Sequence, residues 1–307
     1  MDTLEGMVHK PNPSPGNMET APWALFHQGE QEILIDVDGG ISVDGGVSTN
    51  PFPCEITFAS ICDKGLIATW VDHELQLARM ALLSLSEPLK QGVSRSDLRL
   101  KRNTMVEGSL WCHIVDAEPV AMDSDGDMIV FALWSRGLYC IDSSSNEIWR
   151  LPLIEEKNKS PPRSNEITAI SIVEDEVVAW TKGGTFQRIS LANGDILQTS
   201  ELGVECDIKR VFVHENTFLI SSTDGWVWEF KNNEITIARK LRGTIQDAVH
   251  DGSDWRIISW RDDILLCGES KTRSELGVQI VRQKDTWMVL DNQGNRSPHM
   301  GELLTRS

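Results

Sequence analysis

The feature that most constrains this chain is a short apolar run that recurs along almost its whole length. Each run ends at a turn signal rich in Gly, Asp or Asn and is followed by a second run in which apolar and polar residues alternate. A unit of this size cannot bury its own apolar faces, so neighbouring units must stack on one another. Aligning the turn signals gives one anchor residue per unit, at Leu34, Ala68, Phe131, Val178, Leu219, Ile257 and Met288.

Two of the units show the full pattern of a β-hairpin. The apolar run 177–180 leads to a turn at Gly183-Gly184, and the run 218–221 leads to a turn at Asp224-Gly225 and then to the alternating stretch 226–230. Hairpins that repeat about every 40 residues are typical of propeller blades. The sequence therefore predicts an all-β chain that forms a single β-propeller of about seven four-stranded blades, with six as the alternative, closed by a terminal strand.

The anchor spacing also predicts the domain organisation. Residues 1–20 are rich in Pro, Asn and Gly and read as a tail, whereas residues 21–307 form the propeller. The 63 residues between the second and third anchors exceed every other spacing, so this unit carries an insertion at about 84–109. The segment 73–87 fits both helix and strand periodicity, and its strand neighbours favour a strand.

Composition limits the classes of partner. The chain has 46 acidic and 29 basic residues, a formal net charge of −17, which opposes general nucleic-acid binding and attraction to anionic lipids. No apolar stretch reaches the length of about 18 residues that a membrane-spanning helix needs, and residues 1–16 lack a signal-peptide run. Six cysteines without a CxxC spacing predict reduced, packed thiols. These features favour a cytoplasmic protein without a membrane span.

The stretch 137–149, GLYCIDSSSNEIW, resembles the quinoprotein-type (PQQ-like) propeller repeat. That repeat runs from a Gly through Tyr-Ala-Leu-Asp to a Thr-Gly turn and a closing Leu-Trp. Here Asn146 stands where the turn Gly is usual, and we expect it to take the left-handed backbone conformation, which Asn also enters. Weaker copies occur at 189–197 and 231–235.

The resemblance covers about half of the chain, from Asp116 to about Leu241, and implies blade architecture. Quinoprotein dehydrogenases bind a quinone and a calcium ion in a larger ring, commonly beside a disulfide between adjacent cysteines. This chain has no Cys-Cys pair, so we expect no cofactor. What the resemblance implies is a ring of blades that presents loops to a partner, a role that WD40-like propellers also serve.

Candidate metal ligands occur in one cluster. Asp123, Asp125 and Asp127 alternate as carboxylates do at the start of a calcium loop. Position twelve of such a loop would be Trp134 instead of Glu, so an ordinary Asp/Gly turn is the favoured interpretation and no metal is predicted. The seven histidines are never two or four residues apart, and no nucleophile elbow or phosphate-binding loop is present, so no catalytic residue is predicted.

Two features are candidates for protein binding. The insertion holds the only dense basic cluster of this acidic chain, which fits a solvated loop or a docking site for an acidic partner, while the net charge disfavours nucleic acid. Its members are Lys90, Arg95, Arg99, Lys101 and Arg102. Trp70, Trp134, Trp180 and Trp260 follow the anchors of four units by two or three residues. They fit packing between blades or, together with Trp226, a ring of contact residues at one mouth of the channel.

The sequence thus predicts a non-catalytic scaffold that mediates protein–protein interactions. The alternative is a ligand-binding or enzymatic propeller with a polar site at the central channel, where carboxylates from several blades could converge. That alternative predicts several Asp, Glu or His side chains with shifted pKa values at one channel mouth.

Overall fold

The chain folds into seven antiparallel sheets around an axis. This computed structural model describes residues 20–73, 75–94, 96–97, 105–155 and 163–300. Five sheets have four strands, and the first and last have three. The all-β prediction and the count of seven blades are confirmed. The prediction of four strands per blade holds for blades 2 to 6, whereas blades 1 and 7 have three strands within the described ranges. No helix in the described part is long and apolar enough to span a bilayer.

The blades are numbered in chain order. Blade 1 comprises β1 (Pro22–Gln28), β2 (Gln31–Asp36) and β3 (Ile41–Val43), and blade 2 comprises β4 (Phe58–Cys62), β5 (Gly65–Asp72), β6 (Leu77–Leu83) and β7 (Ser109–Val115). Blade 3 comprises β8 (Pro119–Asp125), β9 (Met128–Leu133), β10 (Gly137–Asp142) and β11 (Glu147–Leu151), and blade 4 comprises β12 (Ile167–Val173), β13 (Glu176–Thr181), β14 (Thr185–Ser190) and β15 (Ile196–Glu201). Blade 5 comprises β16 (Ile208–His214), β17 (Thr217–Ser222), β18 (Trp226–Lys231) and β19 (Glu234–Lys240). Blade 6 comprises β20 (Asp247–His250), β21 (Trp255–Ser259), β22 (Asp262–Leu265) and β23 (Ser270–Thr272), and blade 7 comprises β24 (Gly277–Gln283), β25 (Thr286–Asp291) and β26 (Arg296–Pro298).

The second strand of each blade explains the recurring apolar run. All seven sequence anchors lie in these second strands. The strands β5, β13 and β17 each bury every residue but one, because neighbouring strands and neighbouring blades surround them. A strand covered on both faces reads as a continuous apolar run. The outermost strand β19, by contrast, alternates exposed and half-buried positions.

The first strands surround the axis, because each contacts the first strands of both neighbouring blades. These strands run in the same direction around the ring; for example, His214 at the end of β16 stacks on His250 at the end of β20. The turns between second and third strands therefore lie on the same face as the connectors between blades. The Trp134 N–H, for instance, donates to Glu118 O at 2.8 Å. We name this side the connector face and the other side the opposite face.

The apolar core consists of seven clusters, and each lies between two adjacent blades. Between blades 4 and 5, for example, the Trp180 ring centroid lies 4.4 Å from that of Phe186 and 5.7 Å from that of Phe230. Among the described residues, none of these clusters is confined to a single blade. The prediction that blades cover the apolar faces of their neighbours is therefore confirmed.

Two local predictions have different outcomes. The strand interpretation of 73–87 is confirmed, since this segment contains β6. The left-handed conformation expected of Asn146 is wrong, because Ser145 takes it instead, with φ of 65°. The turn is one residue shorter than in the repeat it resembles, which moves the bend to Ser145. The Asn146 amide then donates to the Asp142 carboxylate at 2.8 Å.

The seam between blades 7 and 1 closes the ring without a shared strand in the described residues, so the predicted closing strand is not found there. The buried members of its small apolar cluster are Leu25, Leu34, Val281 and Leu290. Polar contacts support the seam. The Gln279 amide pairs with the backbone of Leu25, accepting from its N–H at 2.7 Å and donating to its carbonyl at 2.9 Å. An ion pair joins Arg296 to Glu32 at 2.5 Å.

We expect Gln279→Ala to lower the free energy of unfolding by about 2 kcal/mol, because two hydrogen bonds across the seam are lost. Urea denaturation followed by tryptophan fluorescence measures the change. Gln283→Ala is the matched control, since Gln283 lies in the same strand with an exposed side chain, and we expect a change within about 0.5 kcal/mol. Equal effects of the two substitutions would contradict the role of Gln279.

Candidate interaction face

The four tryptophans that follow the repeat anchors divide into two pairs. Trp70 and Trp180 lie two residues after their anchors, inside β5 and β13, and are fully buried. Trp134 and Trp260 lie three residues after theirs, just beyond the ends of β9 and β21, and are 46% and 67% exposed. Packing between blades is therefore confirmed for the first pair and wrong for the second. The difference of one residue moves the indole from the buried strand into a turn on the connector face.

Trp226 is the first residue of β18 and therefore also lies on the connector face. Its side chain is 39% exposed. Its ring stacks on Trp228 with 6.4 Å between centroids, and the Lys240 ammonium lies 5.4 Å from its centroid. Lys240 also pairs with Asp224 at 2.9 Å. The Ser222 hydroxyl and, second, Lys240 lower the pKa of Asp224 to about 2, so this carboxylate stays ionised at neutral pH. The exposed indole is thus held in place by its neighbours.

Trp260 has an unusual backbone conformation. Its φ is 55°, in the left-handed region, where an L-residue with a Cβ is disfavoured by about 1–2 kcal/mol. Trp260 and Arg261 form the two-residue turn between β21 and β22, a place where hairpins favour Gly, Asn or Asp. The residue therefore costs backbone energy while most of its indole remains in water. Ten other non-glycine residues in the described part of the chain have a similar φ, but Trp260 is the bulkiest of them.

Trp134 borders a cavity of about 90 Å³ at the junction of blades 3 and 4. Its lining includes the apolar side chains Leu153 and Ile167 and the charged residues Arg163 and Glu166. A pocket of this size can accept one small side chain of a partner, and its lining offers both apolar and polar contacts to that side chain.

The wall of the central channel is formed by first strands whose side chains bind the backbone of neighbouring blades. Consecutive residues reach opposite neighbours because side chains alternate along a strand. Asp123 accepts from the Ile172 N–H of blade 4 at 2.8 Å, and the Ser124 hydroxyl donates to Ile61 O of blade 2 at 2.9 Å. Corresponding bonds cross the other five junctions. They are made by Gln28, Thr168, Arg210, Asp247 and Gln279.

Two of these groups have strongly shifted pKa values. Burial raises the pKa of Asp123 and that of Asp247 to about 6. Asp247 accepts from the Ile280 N–H of blade 7 at 2.6 Å. The channel alternative requires carboxylates that converge on a ligand, whereas each of these two carboxylates binds the backbone amide of the next blade.

The aspartates considered as metal ligands lie in different surroundings. Asp123 faces blade 4, Asp127 accepts a hydrogen bond from the Ser143 hydroxyl, and Asp125 is exposed. Within the described ranges, no group of three or more His, Cys, Asp or Glu is arranged to hold a metal ion.

The sequence does not predict one contact on the opposite face, a pair of histidines from two blades. His214 and His250 stack with 4.5 Å between ring centroids and 18° between planes. The Gly252 N–H donates to His250 Nδ1 at 3.1 Å, which places the proton of the neutral ring on Nε2. Desolvation and, second, His214 lower the pKa of His250. Because the two residues come from different blades, no local spacing could reveal the pair.

Lys90 is the one member of the basic cluster that lies within the described residues. Residues 84–108 join the third and fourth strands of blade 2, so they leave the sheet at the opposite face. Lys90 lies 3.4 Å from the Glu107 carboxylate, and both side chains are exposed. Outside the described residues lie the other members, Arg95, Arg99, Lys101 and Arg102. The structure therefore places Lys90 and Trp226 on different sides of the ring.

All six cysteines are free. Five are buried or half-buried, but Cys267 is exposed, so the prediction of packed thiols is wrong for that residue. Burial raises the pKa of Cys140 to about 12, which keeps its thiol protonated at neutral pH.

Comparison with known proteins identifies the fold. Neither a protein-family model nor a curated protein matches the sequence. The chain is similar to the WD40 β-propeller domain of Doa1, with a TM-score of 0.62 and 10% identity over 90% of this chain and 91% of that one. It is similar to the Cps50 (Swd1) β-propeller domain of Myceliophteria thermophila, with a TM-score of 0.63 and 11% identity over 90% and 95%. BamB from Moraxella catarrhalis gives a TM-score of 0.57 and 12% identity over 89% and 92%. These likenesses show a β-propeller and do not distinguish a quinoprotein-type repeat from a WD40-like one.

We expect Asp123→Asn to raise the free energy of unfolding by about 1–2 kcal/mol near pH 7.5. The pKa of Asp123 in the folded protein is about 6, above its ordinary value of 3.8, so the natural protein loses stability as the pH rises from about 4 to about 6 and carries the full penalty above pH 6. Asn cannot ionise and still offers an acceptor to the Ile172 amide. The gain should fade as the pH falls from about 6 to about 4, where both states of the natural protein bind the proton.

Urea denaturation at the two ends of this pH range measures the effect. Asp285→Asn, an exposed residue in the turn between β24 and β25, is the control and should change stability little at either pH. A gain for Asp123→Asn that is as large near pH 4 as near pH 7.5 would contradict the assignment.

Proposed function

We propose that this protein is a non-catalytic scaffold that binds a protein partner through the connector face of its propeller. The observation that carries the proposal is the exposure of Trp134, Trp226 and Trp260 on that face, in blades 3, 5 and 6. Single exposed apolar residues are ordinary, but Trp is the side chain most enriched among the residues that dominate protein interfaces. Three indoles on one side of the ring therefore favour a binding surface.

The backbone of Trp260 supports the same conclusion. An Asn or Gly would fit its left-handed conformation without strain, and the exposed indole adds little to the core. The residue thus reduces the stability of the chain on its own. Binding is the role that accounts for an aromatic side chain at this position.

The other polar features agree with a scaffold. Channel-wall side chains bond to backbone atoms at every junction between blades, which is a structural role. The similar WD40 domains share the fold, and propellers of this kind commonly present their turns to protein partners. A cytoplasmic location and the absence of general nucleic-acid binding remain predictions from the sequence.

The basic cluster of the insertion is the second contact in this proposal. Lys90 and the cations that follow it in the sequence, Arg95, Arg99, Lys101 and Arg102, would bind an acidic region of a partner. Its support is the contrast between this cluster and the net charge of −17.

Quantitative affinity capture from native extract, read by mass spectrometry, tests the main proposal. We expect the combined variant Trp134→Ala, Trp226→Ala, Trp260→Ala to lose its principal partner by at least about 100-fold in affinity, because interface tryptophans each contribute about 2 kcal/mol or more. The control changes Ile148, Ile196 and Leu197 to Ala, since these side chains are 42%, 51% and 54% exposed on outer strands. Retention of all partners by the tryptophan variant would show that the proposed function is wrong.

Trp260→Asn should separate folding from binding. We expect the free energy of unfolding to rise by about 0.5–1 kcal/mol, because Asn tolerates the left-handed backbone, while partner binding weakens. Urea denaturation and the same capture experiment measure the two effects. A loss of stability together with unchanged binding would mean that the indole serves the fold.

A further inference from the structure

A polar cavity of about 410 Å³ opens on the opposite face at the junction of blades 4 and 5. This volume lies within the range of about 300–1,000 Å³ that is typical of small-molecule sites in proteins. The polar part of its lining consists of one ion pair and four amides, contributed by Glu176, Arg188, Gln198, Asn216, Asn232 and Asn233. The cavity therefore offers hydrogen-bonding groups from both blades to a ligand.

The strand register of blade 4 explains why polar side chains gather at this junction. Arg188 of β14 pairs with Val178 of β13 and with Gln198 of β15, so these three side chains lie on one side of the sheet. Val178 belongs to the apolar cluster between blades 4 and 5, so this side is turned towards blade 5. Glu176 lies two residues before Val178 and is on the same side, because side chains alternate along a strand. Towards the opposite face, the junction thus changes from apolar packing to polar side chains.

Arg188 is held in place by partners from both blades. Its guanidinium donates to the Glu176 carboxylate at 2.8 Å within blade 4. It also donates two hydrogen bonds, each of 3.2 Å, to the side-chain oxygen of Asn216 in blade 5. Its Cζ lies 5.8 Å from the ring centroid of Phe218. These contacts fix the polar wall before a ligand arrives, which lowers the entropy cost of binding.

The two charges in the lining neutralise each other. Arg188 and Glu176 pair directly, so neither side chain is left as a counter-ion for a charged ligand. An unpaired arginine, by contrast, would favour a carboxylate or a phosphate group. The lining therefore favours a ligand without net charge.

The amides determine the hydrogen-bonding chemistry of the cavity. An Asn or Gln side chain carries a carbonyl acceptor and an NH₂ donor side by side. The Asn216 oxygen accepts from Arg188, which leaves its NH₂ group to donate to a ligand. Among the described residues, the side-chain amides of Asn232 and Asn233 have no hydrogen-bond partner. A hydroxyl group is both donor and acceptor, so neighbouring hydroxyls of a sugar can pair with such amides in both directions.

We infer that this cavity binds a neutral sugar, with its hydroxyl groups on the amides of Asn216, Asn232 and Asn233. The paired Arg188 and Glu176 form the wall beside it. A free sugar and a glycan attached to another molecule share this chemistry. The cavity opens on the opposite face, whereas the exposed tryptophans lie on the connector face, so the inference does not depend on the proposed function.

A glycan array and saturation-transfer NMR with free hexoses test the inference on the full-length protein. We expect neutral sugars to bind, and the double variant Asn232→Gly, Asn233→Gly to bind them at least about tenfold more weakly, because hydrogen bonds to the hydroxyls are lost. Gly suits the backbone of this turn, since both residues have a left-handed φ, of 53° and 62°. Lys284→Gly is the matched control, because Lys284 has a φ of 55° in a turn on the opposite face of blade 7, and sugar binding should not change.

Glu176→Gln tests the charge balance of the cavity. This variant keeps the shape of the side chain and leaves Arg188 without its carboxylate partner. We expect its preference for sialylated over neutral glycans to rise at least about tenfold relative to the unmodified protein, because the free guanidinium can then pair with the sugar carboxylate. A purely structural role of Glu176 would not shift the preference towards acidic sugars. Unchanged urea midpoints confirm that the variants fold.

The outcomes decide between a sugar site and an ordinary polar junction. If neither the neutral glycans nor the free hexoses bind, the inference is wrong. Unchanged binding in the double glycine variant, or an unchanged preference in Glu176→Gln, would also overturn it. Binding of hexoses identifies a free sugar as the ligand, and binding confined to the array identifies an attached glycan; both support the inference. The triple tryptophan variant should bind sugars as the unmodified protein does, so this result is independent of the partner test.

Discussion

The interaction on which the whole structure depends is the burial of apolar blade faces by neighbouring blades. Each of the seven apolar clusters lies at a junction, so no described blade has a core of its own. The ring must close for the first and last blades to be covered. At that seam the apolar cluster is small, and the Gln279 amide and the Arg296–Glu32 ion pair add polar contacts. Folding therefore uses the flat faces of the blades and leaves the turns at the two ends of the ring available for binding.

This division explains why some of the tryptophans are buried and others are exposed. An indole inside a second strand is enclosed by two blades, as Trp70 and Trp180 are, and it stabilises the ring. An indole one residue past the strand end, like Trp134 and Trp260, lies on the connector face and adds little to the core. Trp260 even adopts a backbone conformation that costs energy. The stability of the ring allows such a residue to be kept for another purpose.

The sequence predicted features that depend on local periodicity and missed those that depend on contacts between blades. The seven anchors identify the second strands because continuous burial produces a continuous apolar run. The same periodicity could have predicted the exposure of Trp134 and Trp260, since each lies three residues after its anchor and therefore beyond the end of the strand. The bond from Asp123 to Ile172 and the stack of His214 on His250 were not, because each joins residues that become neighbours only when the blades pack. The bend at Ser145 was missed because a turn shortened by one residue changes which position takes the left-handed conformation.

The central claim is that the exposed tryptophans of the connector face serve binding, whereas the junctions between blades serve folding. Hydrogen–deuterium exchange of the full-length protein, alone and with a captured partner, tests it most directly. The account predicts slower exchange in the bound state at 133–136, 223–228 and 258–262, with no change in the outer strands β11 and β15. Protection confined to the opposite face or to the outer strands would contradict it.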